Sequence, residues 1–271
     1  MSILATLAQA LTSQSVEIID LTQTLNEDTP ILPIPTEYRW GESWPFSKEE
    51  ISRYNDKGPA WYWNNIRCGE HTGTHFDAPV HWITGKDHEN NTTETLPLSN
   101  FIGPAFVIDA VEAAEQDNDF LISVDYIKQW EKQHGEISQG SWVLYRTDWS
   151  VRNNKDFLNK QDDGCHHTPG WDPDAVRFLA EERNVVGLGV ETVGTDSGMA
   201  TGQDPMFPCH ALIHGANKCG LASLCNLDKL PPTGAIIIAA PLKIRDGSGS
   251  PLRVLALVES DNQRLTTECS L

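Results

Sequence analysis

Apolar residues follow two rhythms along the chain. Short, largely uninterrupted apolar runs at 105–108, 185–190, 235–240 and 252–258 predict strands covered on both faces. Two more strands are predicted at 16–21, which is rich in β-branched residues, and at 141–146, which opens into the loop Thr147-Asp148-Trp149. Between them lie helical patterns. Ser123 reads as an N-cap, Tyr126, Ile127 and Trp130 share one face, and Gly135 follows His134 as a terminator, which predicts a helix over 124–134. Asp172-Pro173 places cap and proline in the order that starts a helix, expected to run to about Arg183. Ile3, Leu4, Leu7 and Leu11 predict a short amphipathic helix. Segment 26–35 is rich in Asp and Pro and predicts an extended loop, and 85–94 a polar one. Helices alternating with buried strands indicate an α/β fold. We expect one domain over 1–271, a central mixed β-sheet of swivelling β/α type flanked by helices, with 1–14 as an N-terminal helical arm.

Segment 38–63 departs from both rhythms through its aromatic density: Trp40, Trp44, Phe46, Tyr54, Trp61, Tyr62 and Trp63. Such a cluster predicts core packing first. A second expectation is that some of these rings, with Trp63 foremost, form a flat wall against a planar ligand.

Composition narrows the function. A chain of 271 residues is long enough for a sizeable core. Its formal charge of −18 argues against nucleic acid and anionic membrane surfaces as partners. No apolar run approaches a membrane span. The first basic residue is Arg39, so a signal-peptide n-region is lacking and a cytoplasmic location is expected. The six Cys contain no Cys-x-x-Cys pair, and free thiols are expected.

The chemistry concentrates in 69–82. His71, His75, Asp77 and His81 fall within it, although the chain has only nine His. Every interval between them is even, so an extended strand would present all four on one face. Gly73 and Pro79 oppose a continuous helix. Imidazole and carboxylate on one face suit a divalent transition metal, and His71, His75 and Asp77 as ligands leave positions open for water and substrate. Thr72 and Thr74 are expected to hydrogen-bond the ligands.

The run His71-Thr-Gly-Thr-His75-Phe-Asp77-Ala-Pro-Val-His81 resembles the His-x-Gly-Thr-His-x-Asp-x-Pro-x-His signature of the metal-dependent cyclase amidohydrolase family, which includes kynurenine formamidases and isatin hydrolases. Later segments resemble that family in order and spacing: Leu224-Cys-Asn-Leu227, Ala240-Pro-Leu-Lys243, and Gly247-Ser-Gly-Ser-Pro251-Leu-Arg253. Glu191 and Asp196 follow a buried strand, as acids facing a site do, though a turn or capping role suits Asp196 equally. His210 and His214 stand one helical turn apart. The resemblance favours His210, because family members carry a His facing the metal at that position. One departure matters. Two-metal formamidases carry a Glu at the position of Ala222 here, and a methyl group cannot ligate. The resemblance therefore implies one divalent ion, Mn²⁺ ahead of Zn²⁺, and a homodimer or higher homo-oligomer.

The expected reaction is hydrolysis of a cyclic amide, isatin to isatinate, with His81 as base or proton shuttle. His210 is the alternative shuttle or an oxyanion donor, and Trp63, Trp82 and Phe207 are expected to hold a planar aromatic amide. Kynurenine formamidase activity is the second expectation. A non-haem iron oxygenase shares the two-His, one-carboxylate donor set, but the predicted helices disfavour its all-β fold. A non-catalytic metal-binding protein is the last alternative.

Overall fold

In the computed structural model, residues 2–32 and 41–260 are described. Thirteen strands are labelled in chain order. Nine form one mixed sheet: β1 (Val16–Asp20), β4 (His75–Asp77), β5 (Ile102–Asp109), β7 (Trp142–Arg146), β9 (Gly187–Val190), β10 (Cys219–Ala222), β11 (Ala235–Ile238), β12 (Gly249–Pro251) and β13 (Leu255–Glu259). Their spatial order is β1-β13-β11-β5-β7-β9-β10-β4-β12. The centre, β5-β7-β9-β10, is parallel, and the flanking pairings are antiparallel. Outside it lie the hairpin β2 (Ser47–Arg53) and β3 (Tyr62–Arg67) and the short pair β6 (Leu121–Ile122) and β8 (Gly170–Trp171).

The parallel centre is possible because both faces are covered. Alternation along β7 shows how. Trp142 and Leu144 enter one core with Phe76, Leu221, Ile237 and Ala256. Val143 and Tyr145 enter the other; of the helices α1 (Ile3–Thr12), α2 (Val111–Gln116), α3 (Val124–His134) and α4 (Pro173–Arg177), the last two bring Ile127, Trp130 and Val176 there. The helix ends follow the local chemistry. Ser123 Oγ accepts from Tyr126 N at 3.2 Å, and Gly135 leaves α3 at φ 93°. Asp172 caps α4 ahead of Pro173. The N-terminal helix forms at Ile3–Thr12, with none of its residues buried.

Three expectations change. The segment 71–81 is not one strand: only His75–Asp77 pairs in the sheet, Gly73 takes φ +62° before it, and Pro79–His81 is a 3₁₀ turn with proline near its start. The four groups still converge, through a turn, a strand and a second turn. The helix expected to run to about Arg183 has that extent but changes form within it: α4 ends at Arg177 and a π-helical turn, Phe178–Glu182, carries on to the cap at Arg183. The aromatics of 41–63 do not fill the core: Trp44, Tyr54, Trp61, Tyr62 and Trp63 are exposed. They belong to the β2–β3 hairpin and its flanks, where two strands have too little surface to bury large rings among themselves. Trp40 and Cys269 lie outside the described residues.

Neighbouring residues of β11 test the facing. Ile237 is 0 % exposed and Ile236 43 %. Ile237→Ala should cost about 2–5 kcal/mol of unfolding free energy and Ile236→Ala roughly 1 kcal/mol or less, read from urea midpoints. Equal costs would mean that β11 faces the cores differently.

Candidate active site

Asp77 ends β4, in register with Gly220 of β10 on one side and Gly249 of β12 on the other. This pairing makes room. A Cβ on Gly220 would lie 2.9 Å from Asp77 Oδ2, and one on Gly249 would lie 2.6 Å from the His71 ring. Asp77 is fully buried, and around it stand His71, His75, His81, His210 and His214.

The partners on the far side of each ring decide what it offers inward. His75 Nδ1 lies 2.7 Å from the Gly73 carbonyl oxygen, so it carries the proton and donates. Its Nε2 lone pair then faces Asp77 Oδ1 at 3.3 Å. Ser248 Oγ donates to Glu70 Oε2 at 2.5 Å, which commits its one proton. His71 Nε2, 3.0 Å from that oxygen, must therefore be the donor. Its Nδ1 lone pair meets Asp77 Oδ1 at 2.7 Å. Two imidazole lone pairs thus converge on one carboxylate oxygen. Such an arrangement needs a cation or an added proton between them. Each imidazole nitrogen meets the same ligand oxygen, although only His71 and Asp77 with His81, not with His75, have donor atoms that all lie within 4.8 Å of one another. His71, His75 and Asp77 therefore fit a divalent metal by the chemistry of their donor set. Burial raises the Asp77 carboxyl, and in the metal-free site positive charge on His75 and His71 outweighs it and holds it well below the usual range.

His210 and His214 come from a π-helical turn, His210–His214, a distortion frequent at functional sites. Asp196 binds both ends of the arrangement. Its Oδ1 accepts from Cys209 N at 2.7 Å and its Oδ2 from His210 Nδ1 at 2.5 Å. His210 Nε2 is left 3.9 Å from Asp77 Oδ2. Burial lowers the His210 pKa, but Asp196 and then Asp77 raise it above its ordinary value. His81 stacks on His71 with ring centroids 3.8 Å apart and shares one of two ligand-like groups, His71, Asp77 and His81. Burial, reinforced by His71, His210 and His214 against the pull of Asp77, pushes His81 down to about 2. Burial and His210 push His214 to about 4.

Of the expected aromatic wall, Trp82 stands 5.0 Å from the His210 ring and 5.4 Å from Phe207, centroid to centroid. Trp63 lies on the hairpin, 61 % exposed. Thr72 and Thr74 depart from expectation. Thr74 Oγ1 donates to Ser223 O at 2.6 Å, and Thr72 Oγ1 is buried without a hydrogen bond. Both hydroxyls flank Gly73, whose positive φ turns the chain there. Glu191, expected near the site with Asp196, instead braces the loop after β7, accepting from Thr147 N at 2.7 Å and Ser150 Oγ at 2.8 Å. Glu70, Ser248, Gly220 and Gly249 were not singled out by sequence reasoning. Glu70 adjoins His71, and Ser248 sits in the Gly-Ser-Gly-Ser run, so both were within reach. The described Cys are free thiols, and among the described residues no helix is long and apolar enough to cross a membrane.

Sheet, buried carboxylate and converging imidazoles together describe a metal-dependent hydrolase. The chain belongs to the Cyclase family, whose model matches residues 19–197. It is 48 % identical over 260 residues to the isatin hydrolase of Roseibium aggregatum, covering 95 % of this chain and 97 % of that one. A crystal structure of an isatin hydrolase bound to the product analogue thioisatinate superposes with a TM-score of 0.93 at 47 % identity, covering 96 % of this chain and all of the other. The kynurenine formamidase of Salinibacter ruber is more distant, 28 % identical over 88 % of this chain and 96 % of its own length.

The depressed imidazoles have a stability consequence. His81 and His214 are neutral in the folded protein and protonated in the unfolded one between pH 6.5 and their folded values of about 2 and about 4. The unfolded state binds more protons there, so stability falls as pH drops below 6.5, by at most about 1.4 kcal/mol per pH unit for each group. Metal-free protein should show this in urea midpoints between pH 7 and 5, with a shallower slope for His214→Gln. An unchanged slope in that variant would mean that His214 titrates normally.

Proposed function

We infer that this protein hydrolyses the cyclic amide of isatin to isatinate, using a divalent metal held by His71, His75 and Asp77. The observation that carries the metal site is the pair of imidazole lone pairs aimed at Asp77 Oδ1, each fixed by a hydrogen bond on its far nitrogen. The substrate follows from the extent of the likeness to isatin hydrolase. A divalent ion bound there supplies a Lewis acid that acidifies water and draws charge from a carbonyl oxygen. We take Mn²⁺ ahead of Zn²⁺.

The chain's own residues supply the rest. His210 Nε2 accepts the proton of the attacking water, because Asp196 holds Nδ1–H and stabilises the imidazolium that forms. His81, our first expectation for that role, has no such partner among the described residues and a far lower basicity. The water oxygen bonds to the amide carbon, the C–N bond breaks, and the proton passes from His210 to the departing nitrogen. The carboxyl formed loses the second proton of water to solvent, leaving a single product with an aromatic amine and, beside it on the ring, a keto group that carries the carboxylate. Trp82 and Phe207 lie beside His210 and offer flat apolar faces to that ring.

Formamidase activity is the second reading, supported by the Salinibacter ruber likeness. Ala222 argues against it. Its backbone is in register with His75, so the side chain that would carry an extra acid is here a methyl. A homodimer also belongs to this proposal. The exposed rings of the hairpin are the surface best suited to pair two copies, and sedimentation at the mass of two chains tests it.

Metal-free protein reconstituted with Mn²⁺ should consume isatin absorbance, and a chelator-treated sample should not. His75→Ala should lose metal and activity together. His210→Ala should keep the metal and lose about 100-fold or more in kcat. If His81→Ala shows that pattern and His210→Ala stays active, the two roles are exchanged. Tight metal binding without isatin turnover would reject the substrate.

A further inference from the structure

Four of the rings around Asp77 are held from behind, but not by the same kind of group. His75 Nδ1 meets the Gly73 carbonyl, His214 Nδ1 the Lys218 carbonyl and His210 Nδ1 the Asp196 carboxylate. A carbonyl or carboxylate oxygen can only accept, so each fixes a proton on the nitrogen it meets. His71 differs. Its Nε2 meets the hydroxyl of Ser248, and a hydroxyl donates as readily as it accepts. Left to itself, Ser248 would tolerate either tautomer of His71, one with a lone pair on Nδ1 for an ion and one with a proton there. His71 is also the least enclosed of the three ligands, with 25 % of its side chain exposed against 6 % for His75 and none for Asp77. It stands on a turn rather than a strand, so packing does less to hold it.

Glu70 removes the ambiguity. Its Oε2 accepts from Ser248 Oγ at 2.5 Å and from Ser248 N at 3.3 Å, while Ser248 O accepts from Ala78 N at 2.8 Å. The serine is thus pinned through both backbone groups, and its hydroxyl proton points away from His71. We propose that Glu70 is a positioning residue for metal binding: by engaging the Ser248 hydroxyl proton it fixes the His71 tautomer that leaves Nδ1 free to ligate. A carboxylate behind a ligating imidazole commonly fixes its tautomer by direct contact; here the effect passes through one hydroxyl. Without Glu70 that hydroxyl is free to turn and donate to Nε2, the ring proton then sits on Nδ1, and the nitrogen is closed to an ion. The proposal rests on the reading of His71 as a ligand.

The test compares Mn²⁺ affinities of metal-free, full-length variants, with free ion counted by electron paramagnetic resonance. Glu70→Ala, or Glu70→Leu if the alanine variant does not fold, should weaken binding about 10- to 100-fold, as loss of a group behind a ligand does. Glu70→Gln keeps an amide oxygen for the hydroxyl and should stay within about threefold of wild type, a neutral acceptor replacing a charged one. Ser248→Ala should also weaken binding, and adding Glu70→Ala to it should cost less than about twofold more, because no hydroxyl is left to orient. A role limited to bracing the backbone through Ser248 N would show its full cost in the Ser248→Ala background, and that result overturns the proposal. So does Glu70→Ala that binds as wild type, or Glu70→Gln as weak as Glu70→Ala, which would assign the effect to charge. Wild type that binds no Mn²⁺, or His71→Ala that binds as tightly as wild type, overturns the metal reading itself and this proposal with it.

Discussion

A carboxylate with no exposed surface sits at the centre of five histidines, and the structure depends on how that charge is answered. An unpaired buried carboxylate is prohibitively costly, so such groups are neutralised, paired or bound to metal. The surroundings of Asp77 do not provide the usual pairing. No Arg or Lys forms an ion pair with it among the described residues; its close ionic neighbours are His71, His75 and His210. The imidazole nitrogens that face it have their protons directed elsewhere, to Gly73 O, Ser248 Oγ, Asp196 and Lys218 O. A metal-free chain must draw protons into this cluster or tolerate the repulsion, so metal and fold stabilise one another.

The parallel centre of the sheet serves this cluster by being rigid. Chains arriving from distant parts of the sequence meet at β4: β10 on one side and β12 on the other, each opposing Asp77 with glycine. A side chain at either position would occupy the space of the carboxylate or of His71. Sites built on strands hold their geometry better than sites built on loops. Here only Asp77 and His75 lie on a strand, while His71, His81 and His210 come from turns. The hydrogen bonds behind the turn-borne rings His71 and His210 supply the rigidity that a strand would have given.

Much of this was legible in the sequence, for identifiable reasons. The interval pattern of 71–81 located the histidines and the acid although the backbone between them is not one strand, because convergence survives several local conformations. The caps at Ser123 and Asp172 and the apolar runs of β5, β9 and β11 were legible because local chemistry and burial agree there. What stayed hidden depends on pairing over long separations. Nothing near Gly220 or Gly249 marks them as neighbours of Asp77, and Asp196 reads equally as a site-facing acid or a turn residue until the π-helical turn is placed against it. The aromatics of the hairpin misled because composition alone cannot separate rings buried within a chain from rings left on its surface.

Ala222 ties the specificity of the site to its charge. It is buried in β10 with its backbone in register with His75, where an acid would bring a second negative charge beside the ligands. Such a charge would stabilise a second ion. With a methyl at that position and only neutral imidazoles on the far side of Asp77, the cluster carries one carboxylate, which suits one dication. Asp196 behind His210 raises its basicity against the effect of burial, which suits the proton-transfer role proposed for its inward nitrogen. On the proposed reading, a histidine whose inward nitrogen could ligate is thereby free for proton transfer.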